Sequence, residues 1–309
     1  MEDEMKSNKI FTNGIFVFFA AMLCCALWGS ATPFIKMGYE LMMPEKDVPS
    51  TLLFAGVRFF LAGILTVVIY SIARKKFLYP KKENLGKVAT VSVFQTIIQY
   101  VFFYIGLANT TGVKGTVISG SNTFFSILVA SLIFRQEKLT FKKILACVLG
   151  FAGIILVNLN GLDLNMNLMG DGFVLFSTIA YGVSSVLIKR YSAYEDPVVI
   201  SGYQFIMGGA VMVVLGLCLG GSVQIESMTA VGVLVYLAIL SAVAYSVWGV
   251  LLKYNPVSKV TVYSFMIPVF GVILSKLMLT EQGGVSALNL VLALVLIAGG
   301  IGVLNYSKK

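Results

Sequence analysis

Apolar residues run through this chain in long blocks separated by short polar gaps. A helix that crosses a membrane needs about 20 mostly apolar residues, each adding about 1.5 Å of rise. That requirement predicts ten spans, at residues 15–39, 51–72, 86–108, 113–134, 141–158, 170–190, 197–219, 229–253, 257–279 and 285–306. Pro197 and Pro256 stand where spans seven and nine begin, a place where proline's missing N–H costs nothing. The block starting at Ile15 is too long for the hydrophobic region of a cleavable signal peptide and reads as the first span. The expected fold class is an all-α integral membrane protein.

The pattern also repeats. LeuTrpGlySerAlaThrProPheIleLys (27–36) parallels AlaTyrGlyValSerSerValLeuIleLys (180–189). Trp28 thereby falls on Tyr181, Gly29 on Gly182 and Lys36 on Lys189. In spans two and seven Gly56 falls on Gly202, Phe59 on Phe205 and Gly63 on Gly209. Span four and its exit (129–137) parallel 273–281, and Gly153 falls on Gly300. Five spans per copy is an odd number, so the second copy enters the membrane the other way up. The expected organisation is a tail (1–14), a first five-helix repeat (15–158), a linker (159–169), a second, inverted repeat (170–306) and a short tail (307–309). Many secondary transporters build two interchangeable gates from such inverted repeats.

Composition strengthens the membrane reading: 58% of residues are hydrophobic and 12% charged, with a mean hydropathy of +0.91. A soluble fold, typically about 25% charged, has nowhere to place this much apolar surface. The net charge of +9 does not point to nucleic acid, because the basic residues sit in the gaps between spans. Arg74, Lys75, Lys76, Lys81, Lys82 and Lys87 follow span two, and Arg135, Lys138, Lys142 and Lys143 follow span four. Lys189, Arg190, Lys253 and Lys259 continue that side, whereas the opposite gaps carry Glu40, Glu45, Asp47, Asp163, Asp171 and Glu226. Basic loops stay in the cytoplasm, so both termini are expected there, in a bacterial inner membrane. Cys24, Cys25, Cys147 and Cys218 lie in apolar stretches and are expected to be free core thiols, and no histidine is present. No metal or cofactor is expected, and neither HExxH, GxSxG nor paired intramembrane carboxylates suggest an enzyme.

TrpGlySer at 28–30 with Lys36, ArgPhe at 58–59, and GluLysLeuThr (137–140) leading into GlyPheAlaGlyIleIleLeuVal (150–157) give the chain a family likeness. It resembles the drug/metabolite transporter superfamily, in particular its ten-helix EamA-type members. The second copy departs from the pattern at Gln204, where the first has Arg58, and at GluGlnGlyGly (281–284). The resemblance implies a metabolite exporter whose cavity is lined by spans one, three, four, six, eight and nine, with five and ten peripheral.

A charge inside the bilayer costs at least about 2.5–3.5 kcal/mol, so it is kept for a reason. Arg58 is the leading candidate, and Lys36 sits nearer the end of span one. Uncharged polar and aromatic residues fall on helical stripes that face a neighbour or a cavity: Trp28 with Thr32, Gln95 with Gln99, Asn122 on span four, Tyr181 with Ser185, and Tyr245 with Trp248. Tyr263 marks span nine. Pro33 and Pro268 remove helical hydrogen bonds and are candidate hinges. No carboxylate is expected well inside a span, which disfavours a lipophilic cation and favours a carboxylate-bearing or zwitterionic solute. The reading is an alternating-access exporter of a small polar metabolite such as an amino acid. A receptor without transport and a multidrug or cation exporter are the alternatives. The glycine-rich runs of spans five and ten suit close packing or a homodimer face.

Overall fold

The computed structural model describes residues 9–43, 45, 47–159, 165–278 and 286–305. Most of the amino-terminal tail, the centre of the 159–169 linker with Asp163, the 281–284 exit and the 307–309 tail lie outside the described residues.

Side chains that satisfy the first free N–H groups start the helices. Asn13 accepts from Ile15 N (2.9 Å), Asp47 from Ser50 N (2.8 Å), Asp196 from Val198 N (2.8 Å) and Ser227 from Ala230 N (3.1 Å). Pro197 occupies the first turn of its helix, as its position predicts. The described residues form ten helices long and apolar enough to cross a membrane. They are α1 (Gly14–Met42), α2 (Val48–Ala73), α3 (Lys82–Ala108), α4 (Gly112–Ile133), α5 (Phe141–Asn158), α6 (Leu168–Tyr191), α7 (Pro197–Cys218), α8 (Met228–Tyr254), α9 (257–278) and α10 (Ala287–Asn305). The protein is an all-α, multi-pass membrane protein. Because ten is even, the start of α1 and the finish of α10 share one end, the terminal end; the opposite end is distal.

Several helices depart from α geometry. α3 takes a π turn at Val93–Ile98, α4 at Val129–Ile133 and α6 at Leu168–Gly172. α9 tightens to a 3₁₀ turn at Val262–Phe265, directly before Pro268, whose missing N–H leaves a gap in the ladder. Pro33 loosens the turn of α1 at Gly29, and Gly29 lies against Phe270 and Gly271 of α9.

α2 packs along α7, α5 along α10, α1 against α8 and α9, and α6 against α3 and α4. Contacts between the halves come in exchanged pairs. Gly56 meets Gly209, and Gly63 meets Gly202. Phe59 stacks on Phe205 at 5.1 Å, and the hydroxyls of Tyr100 and Tyr245 meet at 2.6 Å. Arg58 donates to Ser241 of α8, and Thr96 of α3 donates to Gln204 of α7. Gly153 lies against Ala293 and Gly300 against Ala146. Gly153 and Gly300 thus let two helices of one molecule approach closely, whereas Gly302 has nothing within 4 Å of an added methyl. One cysteine departs from expectation, since Cys24, Cys25 and Cys147 are buried but Cys218, at the end of α7, is exposed.

Candidate functional site

Arg58 sits mid-way along α2 and is 3% exposed. It does not snorkel. Its Nη2 donates to Ser241 Oγ at 3.3 Å, and its guanidinium carbon lies 4.6 Å from the centre of the Phe59 ring. Its Nε and Nη1 have no partner, and among the described residues Arg58 enters no ion pair. A buried, always-charged donor set left this open is costly unless something else fills it.

Aromatic rings enclose the site. Phe59, Tyr100, Phe205 and Tyr245 pack in sequence: Phe59 to Tyr100 at 4.4 Å, Phe59 to Phe205 at 5.1 Å and Phe205 to Tyr245 at 4.8 Å. Trp28 lies edge-on to Tyr245 (5.1 Å) and to Trp248 (5.0 Å). Both indole Nε1 groups are buried without a partner, as are the Oε1 atoms of Gln95 and Gln99 and Oδ1 of Asn122. The interior thus offers unfilled donors around Arg58 and unfilled acceptors on α3 and α4.

The structure gathers Trp28, Arg58, Tyr245 and Trp248 into one cluster. Tyr181 is buried on α6. Ser185 instead turns its hydroxyl back to the Tyr181 carbonyl at 3.0 Å, as helix-internal glue. Tyr263 packs its ring on Phe18 of α1 and shares no ring contact with the cluster. The π turn in α3 breaks the expected Gln95–Gln99 face, enclosing Gln95 and leaving Gln99 half-buried. Tyr100, which the stripes did not single out, is the α3 residue that reaches the cluster.

One stripe of α1 shows how the interior is reached. Ala21 and Cys25 are fully buried, Trp28 is half-buried, and Thr32 and Lys36 are exposed. α9 grades the same way, with Val257, Val260, Val262 and Phe265 buried and Ile267, Pro268 and Phe270 half-buried. Along these stripes exposure rises from the terminal end toward the distal end, although Val269 of α9 and Met42 of α1 stay buried.

The contacts at the terminal end are polar. Glu137, between α4 and α5, accepts from Ser258 Oγ (2.5 Å) and Ser258 N (3.3 Å) at the start of α9, and from Lys143 Nζ (2.8 Å). Burial pushes the Glu137 carboxyl up, but the bonds from Lys143 and Ser258 together outweigh it and hold the group below its usual range. Lys189 of α6 donates to the carbonyls of Leu252 (3.1 Å) and Asn255 (2.5 Å), closing over the last turn of α8.

At the distal end one acid lies at the start of a span. Asp171 sits in the π turn that opens α6, is fully buried, and pairs with Lys114 Nζ at 2.7 Å. Thr110 Oγ1 and Asn167 N also donate to it. A lone lysine just inside α4, at the end where acids predominate, was the available signal. No group of three His, Cys, Asp or Glu side chains able to hold a metal occurs among the described residues.

A model of the EamA-like transporter family matches residues 13–159 and again 168–306. Similar proteins include an uncharacterized transporter of Archaeoglobus fulgidus, 24% identical, with 84% of this chain and 88% of the relative aligned. An uncharacterized transporter of Bacillus subtilis is 23% identical over 92% of this chain and 89% of its own. A chloroplastic WAT1-related protein of Arabidopsis thaliana is 26% identical, over 85% of this chain and 66% of its own. A crystal structure superposes with a TM-score of 0.76 over 93% of this chain and 96% of that one; at 17% identity it shows the fold alone.

Proposed function

The chain belongs to the EamA-like transporter family, and from that premise we propose that it is a secondary transporter that exports a small polar metabolite, such as an amino acid, by alternating access. The solute's carboxylate fills Nε and Nη1 of Arg58, and the Trp28 and Trp248 indoles supply further donors. A guanidinium suits this task because its planar fork grips a carboxylate through two parallel bonds. Gln95, Gln99 and Asn122 receive the donor groups of the same solute, and Lys36 adds positive field on the entry path.

The observation that carries the reading is the buried guanidinium inside an aromatic enclosure, with Nε and Nη1 open and no acid partner among the described residues. A helix-anchoring arginine has its donors satisfied by backbone or acid; this one has two nitrogens open. The exchanged contacts between the halves support two inverted repeats, 15–158 and 170–306, related by rotation about an axis in the membrane plane. The basic gaps support a cytoplasmic terminal end in a bacterial inner membrane. On that orientation the present state faces outward, and Pro33 and Pro268, at the α1–α9 crossing, are the hinges. A homodimer would use the exposed faces of α5 and α10 at Val148 and Val295.

The chain has two tryptophans, and both lie in the cluster, so intrinsic fluorescence reports on the site directly. Titration of the purified protein with carboxylates, zwitterions and quaternary cations should give saturable quenching by carboxylate-bearing solutes only. Arg58→Gln should weaken that binding by about tenfold or more, as for loss of a charge-assisted bond, and flux into proteoliposomes should fall with it. Equal binding of cations, or normal flux in a well-folded Arg58→Gln protein, would remove Arg58 from the site.

A further inference from the structure

At the terminal end the α2–α3 connection meets the α6–α7 turn, and a cleft of about 430 Å³ lies between them. Lys81, Glu83, Asn84, Lys87, Ala193 and Tyr194 line it. Its frame is fixed by hydrogen bonds. Asn84 is 2% exposed, and its Nδ2 donates to the Tyr194 carbonyl and to Glu195 Oε2, both at 3.1 Å. Lys81 N donates to the same Oε2 at 2.9 Å, and Asp196 N donates to Glu195 Oε1 at 3.1 Å. Both oxygens of Glu195 are thus occupied. Asp196 is occupied as well, by Arg74 and by Val198 N.

The cations of the cleft are left over. Lys87 Nζ donates to Asn84 Oδ1 at 2.5 Å and lies 4.7 Å from the centre of the Tyr194 ring, which orients the ammonium without neutralising it. Among the described residues neither Lys81 nor Lys87 enters an ion pair. Glu83 is the one acid in the lining, set against two lysines.

The segment that leads into the cleft suits a bilayer surface. Leu78 is buried among Tyr70, Val198, Val199, Tyr203 and Val250, and the Tyr203 hydroxyl donates to its carbonyl at 3.1 Å. On either side of this anchor Phe77 and Tyr79 are each 64% exposed. Aromatic rings at the end of a span sit at the level of the lipid headgroups. Exposed rings two and four residues from Lys81 give a lipid apolar contact that a free anion does not use.

We propose that this cleft binds the phosphodiester headgroup of an anionic phospholipid. Lys87 and Lys81 take the phosphate oxygens, and Phe77 and Tyr79 lie against the acyl region. Basic pockets beside spans hold such headgroups, whereas a choline headgroup brings a cation of its own to the same lysines. The lipid bridges the first half of the chain, through the α2–α3 connection, to the second, through the α6–α7 turn. The site stands apart from the transport reading and is tested without it.

The full chain, purified in detergent and stripped of lipid, is titrated with phosphatidylglycerol or phosphatidylcholine and the bound lipid read by native mass spectrometry. Phosphatidylglycerol should bind saturably and phosphatidylcholine should not. Lys81→Gln with Lys87→Gln should weaken binding by about tenfold or more, at roughly fivefold for each lysine. Tyr194→Leu, which keeps every charge, should weaken it by about threefold through the lost ring contact. Lys81→Arg with Lys87→Arg should bind as the wild type does. Lys138→Gln with Lys142→Gln, which removes two exposed lysines of the α4–α5 connection, should change nothing. Equal losses in the two glutamine pairs would mean a diffuse basic surface, and the proposal falls. It falls too if the arginine pair loses as much as the glutamine pair, since the defect is then structural. Displacement of the lipid by an equal concentration of inorganic phosphate would make this a free-phosphate site and overturn the lipid.

Discussion

Glu137 shows how a single side chain ties three helices. Its carboxylate lies in the α4–α5 connection, caps the first turn of α9 through Ser258, and pairs with Lys143 of α5. An acid at a helix N-terminus is favoured by the dipole as well as by the free N–H groups. Because the folded protein holds this carboxyl below its ordinary value of 4.5, the unfolded chain binds its proton at higher pH than the folded one. The stabilisation is therefore complete above the unfolded value and is lost as pH falls through the folded value. Thermal unfolding in detergent should show the wild-type midpoint dropping as the pH falls through and below the carboxyl's ordinary value of 4.5. Glu137→Gln should start lower at neutral pH, by about 1–3 kcal/mol of stability, and show a flatter pH dependence. An unchanged midpoint and slope in the variant would mean that Ser258 and Lys143 are held by other groups.

At the scale of elements, the crossing of α2 and α7 depends on glycine at its contact points. A Cβ on Gly63 would lie 2.6 Å from both the Gly202 carbonyl oxygen and the Ile206 nitrogen, backbone atoms that cannot step aside. Gly63→Ala should therefore destabilise the protein by about 1–3 kcal/mol through overpacking. Gly232→Ala, on an exposed face of α8 with nothing within 4 Å of the new methyl, should be neutral or slightly stabilising. Unfolding midpoints of the two variants measured side by side decide it; equal behaviour would show that α2 and α7 separate more easily than their contact implies. The helices themselves were legible in the sequence, because hydrocarbon thickness sets span length and proline marks helix starts. The π turns were not. They depend on which side chains press on a helix from outside, so Gln95 and Gln99 read as one face when a π turn divides them. The Lys114–Asp171 pair was hidden for a similar reason: hydropathy puts Asp171 at the edge of the sixth span but does not show that the chain folds it into a π turn against Lys114.

At the scale of the whole molecule, the sequence repeat anticipated which residues correspond but not which of them touch. Gly56 and Gly202 align, yet Gly56 meets Gly209; Phe59 and Phe205 align and also stack on one another. Aligned residues that meet their own counterparts lie on the line relating the two halves, and Tyr100 with Tyr245 mark it a second time. Arg58 and Gln204 flank that line in equivalent places, each bonded to a hydroxyl of the other half. Gln204 is fully buried, and its Nε2, like Nε and Nη1 of Arg58, has no partner. The two positions differ in charge rather than in setting. Moving the cation from one to the other should then keep it beside the same aromatic enclosure. The double variant Arg58→Gln with Gln204→Arg should recover much of the solute binding that Arg58→Gln loses, to within about tenfold of the wild type, the cost of one imperfect charged hydrogen bond. Quenching of Trp28 and Trp248 by a solute that binds the wild type measures it. If the double variant binds no better than Arg58→Gln alone, the cation works only from α2, and the equivalence of the halves ends at the packing without reaching the site.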